Sequence, residues 1–487
     1  MSNPTTGTDA AAPNTLLEKA GLDVIAESER KGRPRDLFMP WFAANISVLG
    51  ISWGAWVLGF GLSLVQALLI SVVGLTLSFL LCGLVAIAGK RGSAPTLVLS
   101  RAAFGYHGNR VSALISWILT VGWETFLAIM AVQATATVMG ALGFSNHLLA
   151  QIAALVLVVV LAAGSGILGF DTIMKVQTWI TWATAALTLV YLVLVADKIN
   201  FSVLAARPAA SSTAVLGAGC MLAVGFGFGW VNAAADYSRY LPRNASTRGV
   251  VGWTTFGASL PVLVLVCFGV LLVGSSGAEL SQKIGDDPIG ALTTLLPTWF
   301  LIPFAVVAIL GLVGGIVMDI YSSGLSLLAT GVPVSRPVAT AIDGTIMTLG
   351  TIVVVFFADS FLTPFTAFLT TLGVVIAAWA GVMLADIALR HKEYDDVDLF
   401  SPAGRYGSVN WGAMASLVIA SFVGWGLVVN TGASWLSWQG YLLGPLGLGG
   451  RQGSWAGANL GILLALVIGF AGYWISSAKR VRRQEER

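Results

Sequence analysis

The sequence predicts an all-α polytopic membrane protein with twelve transmembrane helices, and three observations carry that prediction. Of 487 residues, 56% are hydrophobic and 10% are charged, with a mean hydropathy of +0.85. A water-soluble domain has too little core to hide that much apolar surface. The apolar runs also reach the roughly 20 residues that crossing a bilayer requires. Finally, the basic residues collect in the segments on one side of these runs. Only helices or closed barrels satisfy their backbone groups in lipid, and runs this long and continuous are helices.

The spans are expected at 38–61, 65–88, 111–140, 148–168, 172–195, 214–234, 250–274, 299–330, 338–357, 364–389, 411–429 and 455–476. Residues 1–37 are polar and lack the apolar core of a signal peptide, so they read as a disordered cytoplasmic tail. Spans 1–5 (38–195) and 6–10 (214–389) form two blocks joined by an outer loop at 196–213. A cytoplasmic loop at 390–410 leads to spans 11 and 12 (411–476), and residues 477–487 form a basic cytoplasmic tail. With the N-terminus inside, 22 of the 26 Lys and Arg residues fall in inner segments, and only Lys198, Arg207, Lys283 and Arg451 lie outside. That asymmetry places both termini in the cytoplasm of a multi-pass plasma-membrane protein. It also accounts for the net charge of +3, which carries no nucleic-acid signal. Cys82, Cys220 and Cys267 all fall in apolar spans, an odd set that argues against disulfides and a metal site.

Spans 1 and 6 are unusual. Span 1 reads NISVLGISWGAWVLGFG and span 6 reads VLGAGCMLAVGFGFGW; both carry Val-Leu-Gly near their start, and each is first in a block of five. Glycine-interrupted helices at matching positions point to a binding site at an inverted-repeat interface. Small-xxx-small helix packing is the alternative for any single glycine. Between spans 2 and 3, residues 89–110 are too polar to span and too apolar for a free loop, which predicts a re-entrant or surface-lying element. The outer segment 278–299 predicts a short amphipathic helix over an outer vestibule.

Trp123 and Trp230 sit inside spans in the runs VGWETF and GFGWVNAAADYSRYLP, next to glycine. A lipid-facing helix has no use for such a cluster. An indole face stacks well on a flat heteroaromatic ring, and glycine lets the backbone come close, as Gly54 and Gly229 would here. Glu124 and Asp319 are the acids placed well within spans, where carboxylates usually face a cavity and carry function. A satisfied structural group is the alternative for each.

The run GSAPTLVLSRAAFGYHGN, followed by a helix carrying VGWE, resembles the second-to-third helix region of the purine–cytosine permeases, the nucleobase–cation symporter family. DYSRYLP after span 6, DIYSSGLSL in span 8 and RHKEYDDVDLFSPAGRYGSVNW after span 10 extend the resemblance over residues 40–429. It implies a LeuT-type fold, a 5+5 inverted repeat plus two C-terminal helices. It also implies import of a nucleobase or related heterocycle of the cytosine, purine or allantoin type by alternating access. The coupling ion would be H⁺ or Na⁺, with no other cofactor. By position, the resemblance makes Trp123 and Trp230 the stacking aromatics and Ser52 a ring contact on the broken part of helix 1.

Asp319 stands where relatives often carry an asparagine that reads the ring's edge, and Leu127 stands where some carry Gln or Asn. Sodium-coupled relatives place a Ser/Thr pair where this chain has Val313 and Gly314. Hard cations want oxygen ligands, so these residues tilt the coupling ion toward a proton. A protonated carboxyl presents a donor and an acceptor on one planar frame, as a carboxamide does. Asp319 would then read the ring and load the proton, with Glu124 as a second candidate for both roles. Asp236 and Arg239, at the inner end of span 6, are expected to form a cytoplasmic gate or an ion-pair network rather than contact the substrate.

Rival classes fit less well. Gly50-Ile-Ser-Trp-Gly54 matches a hydrolase nucleophile elbow, but that motif needs a strand-to-helix turn and a general base. His107, His147 and His391 lie in or beside loops, so no enzyme is expected. A channel would line its pore with rings of like groups from repeated subunits. An amino-acid carrier of the same architecture would meet a carboxylate with helix N-termini, which two indoles and two acids suit poorly. The two acids leave open a cationic aminopyrimidine vitamin precursor as substrate.

Overall fold

Sixteen helices account for the architecture in a computed structural model that describes residues 21–166, 170–358 and 362–486; side chains of 163–177 and 359–362 lie outside the description. The first span is α1 (Phe38–Asn45) and α2 (Leu49–Leu58), followed by α3 (Leu64–Gly92), α4 (Asn109–Ala141), α5 (His147–Gly166) and α6 (Phe170–Val195). The sixth is α7 (Ser212–Gly225), α8 (Gly227–Trp230) and α9 (Ala234–Ser238). Then come α10 (Thr247–Ser275), the short α11 (Ala278–Asp286), α12 (Leu301–Ala329), α13 (Arg336–Phe357), α14 (Leu362–Leu389), α15 (Trp411–Trp425) and α16 (Leu460–Glu486). Among the described residues, nine helices are long and apolar enough to cross a bilayer, ten with the bent α1–α2 pair, while α5 and α15 are shorter apolar helices. The chain is a multi-pass, all-helical membrane protein. Helices α4, α12 and α14 form its centre, whereas α6 and α13 turn Trp179, Trp182 and Phe357 outward.

The two breaks that position the site have different causes. Helices α1 and α2 meet at 71°. The Asn45 amide donates to Trp41 O (2.9 Å) and Ser47 Oγ accepts from Leu49 N (3.3 Å), replacing helix bonds that the bend removes. The bend therefore precedes the glycine run. Gly50 and Gly54 instead let α2 cross α10, since a Cβ on Gly54 would run into the backbone of Gly269 and Val270. In span 6 the break does fall among glycines, at Phe226 (φ −126°, ψ −86°). Gly225 lies under the Trp53 ring and Gly227 against the Ser78 backbone, with no room for a Cβ at either. The Cys82 thiol donates to the freed Gly227 carbonyl at 3.2 Å.

At one end of the bundle the basic residues hold the connecting segments together. Arg91 donates to Ile387 O and Arg390 O, capping the end of α14, and Lys90 donates to Ala245 O at 2.7 Å. The polar segment between α3 and α4 is neither free nor surface-lying: it forms two short helices, Thr96–Leu99 and Arg101–Phe104, buried inside this end. Two expected boundaries shift here. Residues 1–20 lie outside the description, but 21–37 pack on the bundle through Ile25 N to Ser93 O (2.8 Å) and the buried Leu37. The expected basic tail 477–487 continues α16 as helix to Glu486, with Ser477, Val481 and Gln484 buried. Its apolar face packs along α14, so the helix outlasts the hydrophobic run that marks the span.

A buried ion pair joins these parts. Arg390 Nη2 lies 2.8 Å from Asp386 Oδ1, with both side chains almost wholly buried, and Tyr473 on α16 donates to the same oxygen at 2.7 Å. Removing one partner strands a charge in low dielectric. Asp386→Ala is expected to destabilise the purified protein by about 3–5 kcal/mol, read as a lowered thermal midpoint. Replacing both partners with leucine and methionine is expected to recover most of that loss.

Candidate functional site

Both breaks open on one cavity of about 70 Å³. That space is about half of what a benzene-binding cavity offers, so a ring fits there only once the walls part. Its wall is built from the α1–α2 bend (Asn45, Ser47, Trp53), from α4 (Trp123, Leu127), from the span 6 break (Phe226, Gly229, Trp230) and from α12 (Asp319). Three of the residues singled out by sequence, Trp123, Trp230 and Asp319, thus converge from three helices, and Gly229 joins them. A Cβ at Gly229 would stand 3.2 Å from Trp123 Nε1, so the bare backbone there sets the position of the indole. That Nε1 is buried with no hydrogen-bond partner among the described residues. Phe365 packs edge-on to Trp123 at 5.1 Å, and Trp41 packs edge-on to Trp230 at 6.0 Å.

Other candidates lie elsewhere. The Ser52 hydroxyl donates to the Pro288 carbonyl, away from the cavity. Because the bend falls at 46–48 rather than at the glycines, the polar residues at the cavity are Asn45 and Ser47. Gly54 faces α10 for the same reason. Glu124 is fully buried but does not line the cavity; next to Trp123 in the helix, it points about 100° away from it. Its carboxyl makes no hydrogen bond of ordinary geometry among the described residues, and the Ser323 hydroxyl is the polar group beside it. The charged groups that act on it are Asp343 and Asp319. Asp343, on α13, accepts from Trp117 Nε1 (2.6 Å) and from Ser323 Oγ (2.8 Å). Ser323 lies one helical turn beyond Asp319, so a polar seam leads from the cavity wall to Glu124 and Asp343.

The expected gate pair divides its work. Asp236 Oδ1 accepts from Thr96 N (2.8 Å) and Thr96 Oγ1 (2.7 Å), fastening the short Thr96–Leu99 helix. Arg239 donates to Tyr321 OH (2.7 Å) on α12. Below the cavity, toward the basic end, Tyr237 packs edge-on to Trp41 and face to face with Tyr321. On the opposite side a second cavity of about 540 Å³ begins at Trp53. The amphipathic helix expected in segment 278–299 is α11, whose Ser281 borders that cavity.

Sequence reading missed Trp53, Phe226, Asn45, Ser47 and Asp343. A carboxamide beside a serine inside an apolar span was the available signal for the bend. Asp343 sits two turns into its helix, where it reads as an end residue rather than a buried one.

A polytopic bundle with two broken helices meeting at a small cavity is the frame of a membrane transporter. Residues 24–444 match the family described as permeases for cytosine/purines, uracil, thiamine and allantoin, and the chain belongs to that family. It is 22% identical to YxlA of Bacillus subtilis over 417 residues, covering 83% of this chain and 86% of that protein. It is likewise 22% identical to the purine-cytosine permease FCY2 of Saccharomyces cerevisiae, over 93% and 84% of the two chains. In fold it is similar to Mhp1, a nucleobase-cation-symport-1 family transporter in a closed conformation with bromovinylhydantoin bound. The TM-score is 0.69 at 18% identity, covering 97% of this chain and all of that one.

Proposed function

We propose that the protein imports a nucleobase or related planar heterocycle across the plasma membrane by proton symport, with both termini cytoplasmic. The convergence of Trp123, Trp230 and Asp319 on one small cavity carries this reading. Two indole walls offer stacking to any flat ring, and a protonated carboxyl pairs with a donor–acceptor edge. The ring bound by Mhp1 is of the same planar, hydrogen-bonding kind. The twelve spans would comprise two inverted five-helix repeats, with α15 and α16 outside them. Alternating access is favoured by the asymmetry of the two ends: aromatic stacking below the cavity, open space above it.

The coupling ion is read from the oxygens at hand. At the α1–α2 bend the Ile46 carbonyl and Ser47 face α12 near Gly311, and two residues on Val313 offers only hydrocarbon. A sodium ion needs more oxygen than that. Asp319 in the wall, with Glu124 and Asp343 behind it, offers carboxyl groups to a proton instead. No cofactor beyond the coupling ion is required.

The test is uptake into proteoliposomes, with competition by cytosine, uracil, adenine, hypoxanthine, allantoin and an aminopyrimidine, at two pH values with and without Na⁺. Competition by neutral rings with uptake driven by an inward proton gradient is the expected result. Uptake that requires Na⁺ would overturn the proton assignment, and competition only by the cationic aminopyrimidine would overturn the substrate class.

A further inference from the structure

Trp53 belongs to two cavities at once. It closes the outer side of the 70 Å³ cavity and also forms the floor of the 540 Å³ cavity beyond it. Its ring lies on the bare backbone of Gly225 and against Phe226 (4.8 Å between centroids), directly at the span 6 break, with Trp56 edge-on at 4.7 Å. Trp53 therefore stands between the outer cavity and the inner one, with Phe226 packed against it.

Its lining states what it can hold. Trp53, Trp56 and Phe365 supply aromatic walls; the Thr366 and Thr370 hydroxyls, whose protons go to their own helix backbone, can accept, and Asn459 can donate and accept. None of the residues lining it is Asp, Glu, Lys or Arg. A charged ligand would leave its charge without a partner there, whereas a neutral flat ring meets both stacking and hydrogen-bonding partners. Phe365 links the two chambers as well, because its ring also packs edge-on to Trp123 at the inner site.

We propose that the outer cavity is a second binding station for the same class of neutral planar heterocycle, with Trp53 as the wall shared by the two stations. This rests on reading the inner cavity as a ring site. A ring entering from the outer side stacks first among Trp53, Trp56 and Phe365, and reaches the inner chamber when the Trp53 indole swings away. With no acid in its wall, the outer station binds more weakly and without pH dependence.

The experiment is equilibrium binding of tritiated cytosine, uracil and hypoxanthine to the purified full-length protein. Variants are Thr366→Trp and Thr370→Trp, which fill the outer cavity from its rim, and Trp123→Phe, which acts on the inner one directly and on the outer one only through Phe365. The expected result is two sites per chain for the probe that binds, the second at least tenfold weaker. Thr366→Trp or Thr370→Trp is expected to abolish the weak site and leave the tight one within about twofold. Trp123→Phe is expected to weaken the tight site by more than it changes the weak one. One site in the wild type, or two sites untouched by both tryptophan variants, would overturn the outer station while leaving the inner reading intact. Failure of all three probes to bind would overturn the inner reading, and this one with it.

Discussion

Asp319→Asn is expected to leave ring binding within about fivefold of wild type while uptake loses its dependence on external pH. The amide keeps the donor–acceptor frame of a protonated carboxyl, so the binding difference is that of one neutral hydrogen bond, about 1 kcal/mol or less. That corresponds to about fivefold or less in Kd. What the amide cannot do is take up and release a proton. Wild-type uptake should rise as the outside is acidified, since a symporter draws on the inward proton gradient; the asparagine variant should exchange labelled for unlabelled ring without responding to that gradient. Asp319→Ala removes both hydrogen bonds and is expected to cost about 1–3 kcal/mol, roughly fivefold to 150-fold in binding. Counterflow and gradient-driven uptake in proteoliposomes separate the two effects. An asparagine variant with an unaltered pH profile would sink the assignment of the proton to Asp319.

Glu124→Gln sharpens the same question. Glu124 does not line the cavity, so its amide should leave Kd unchanged. If the pH profile flattens in Glu124→Gln and persists in Asp319→Asn, the proton is carried behind the wall, where Glu124 and Asp343 stand on facing helices. The geometry offers both locations one helical turn apart on α12, through Asp319 and Ser323.

What the sequence made legible was the part governed by long-range composition. Helix ends lie near the hydrophobic boundaries because the bilayer imposes one length and one polarity on every span. The convergence of Trp123, Trp230 and Asp319 was legible too, because a carboxylate inside an apolar span is costly unless it faces a cavity, and glycine-flanked indoles suit the same wall. The register of the first bend was not. Glycine signals close approach as readily as a break, and in α2 it serves the crossing with α10. Placing the break at the glycines exchanged Ser52 and Gly54 for Asn45 and Ser47. Glu124 illustrates a different limit: burial is readable from a span, but the side of the helix it faces is not, because α4 is enclosed on several sides. Trp53 was passed over for the same reason, as one apolar aromatic among many.

The two tryptophans of the inner site are expected to fail differently when removed. Stacking of a base on an aromatic side chain contributes about 1–3 kcal/mol, so Trp123→Ala should weaken ring binding by about fivefold to 150-fold. Trp123→Phe keeps an aromatic face and should recover much of that loss. Trp230 has a second task, because it rests edge-on against Trp41, which in turn packs on Tyr237 in the stack that closes the basic end. Trp230→Ala should therefore weaken binding to a similar degree and also loosen that closure. A cysteine placed at Ser322, below the cavity beside Tyr237, should then react faster with a membrane-impermeant thiol reagent applied from the basic side. In Trp123→Ala the same cysteine should react at its wild-type rate. Equal acceleration in both variants would mean that the indoles act as general packing, since only a residue built into the closing stack can couple ring binding to access from one side.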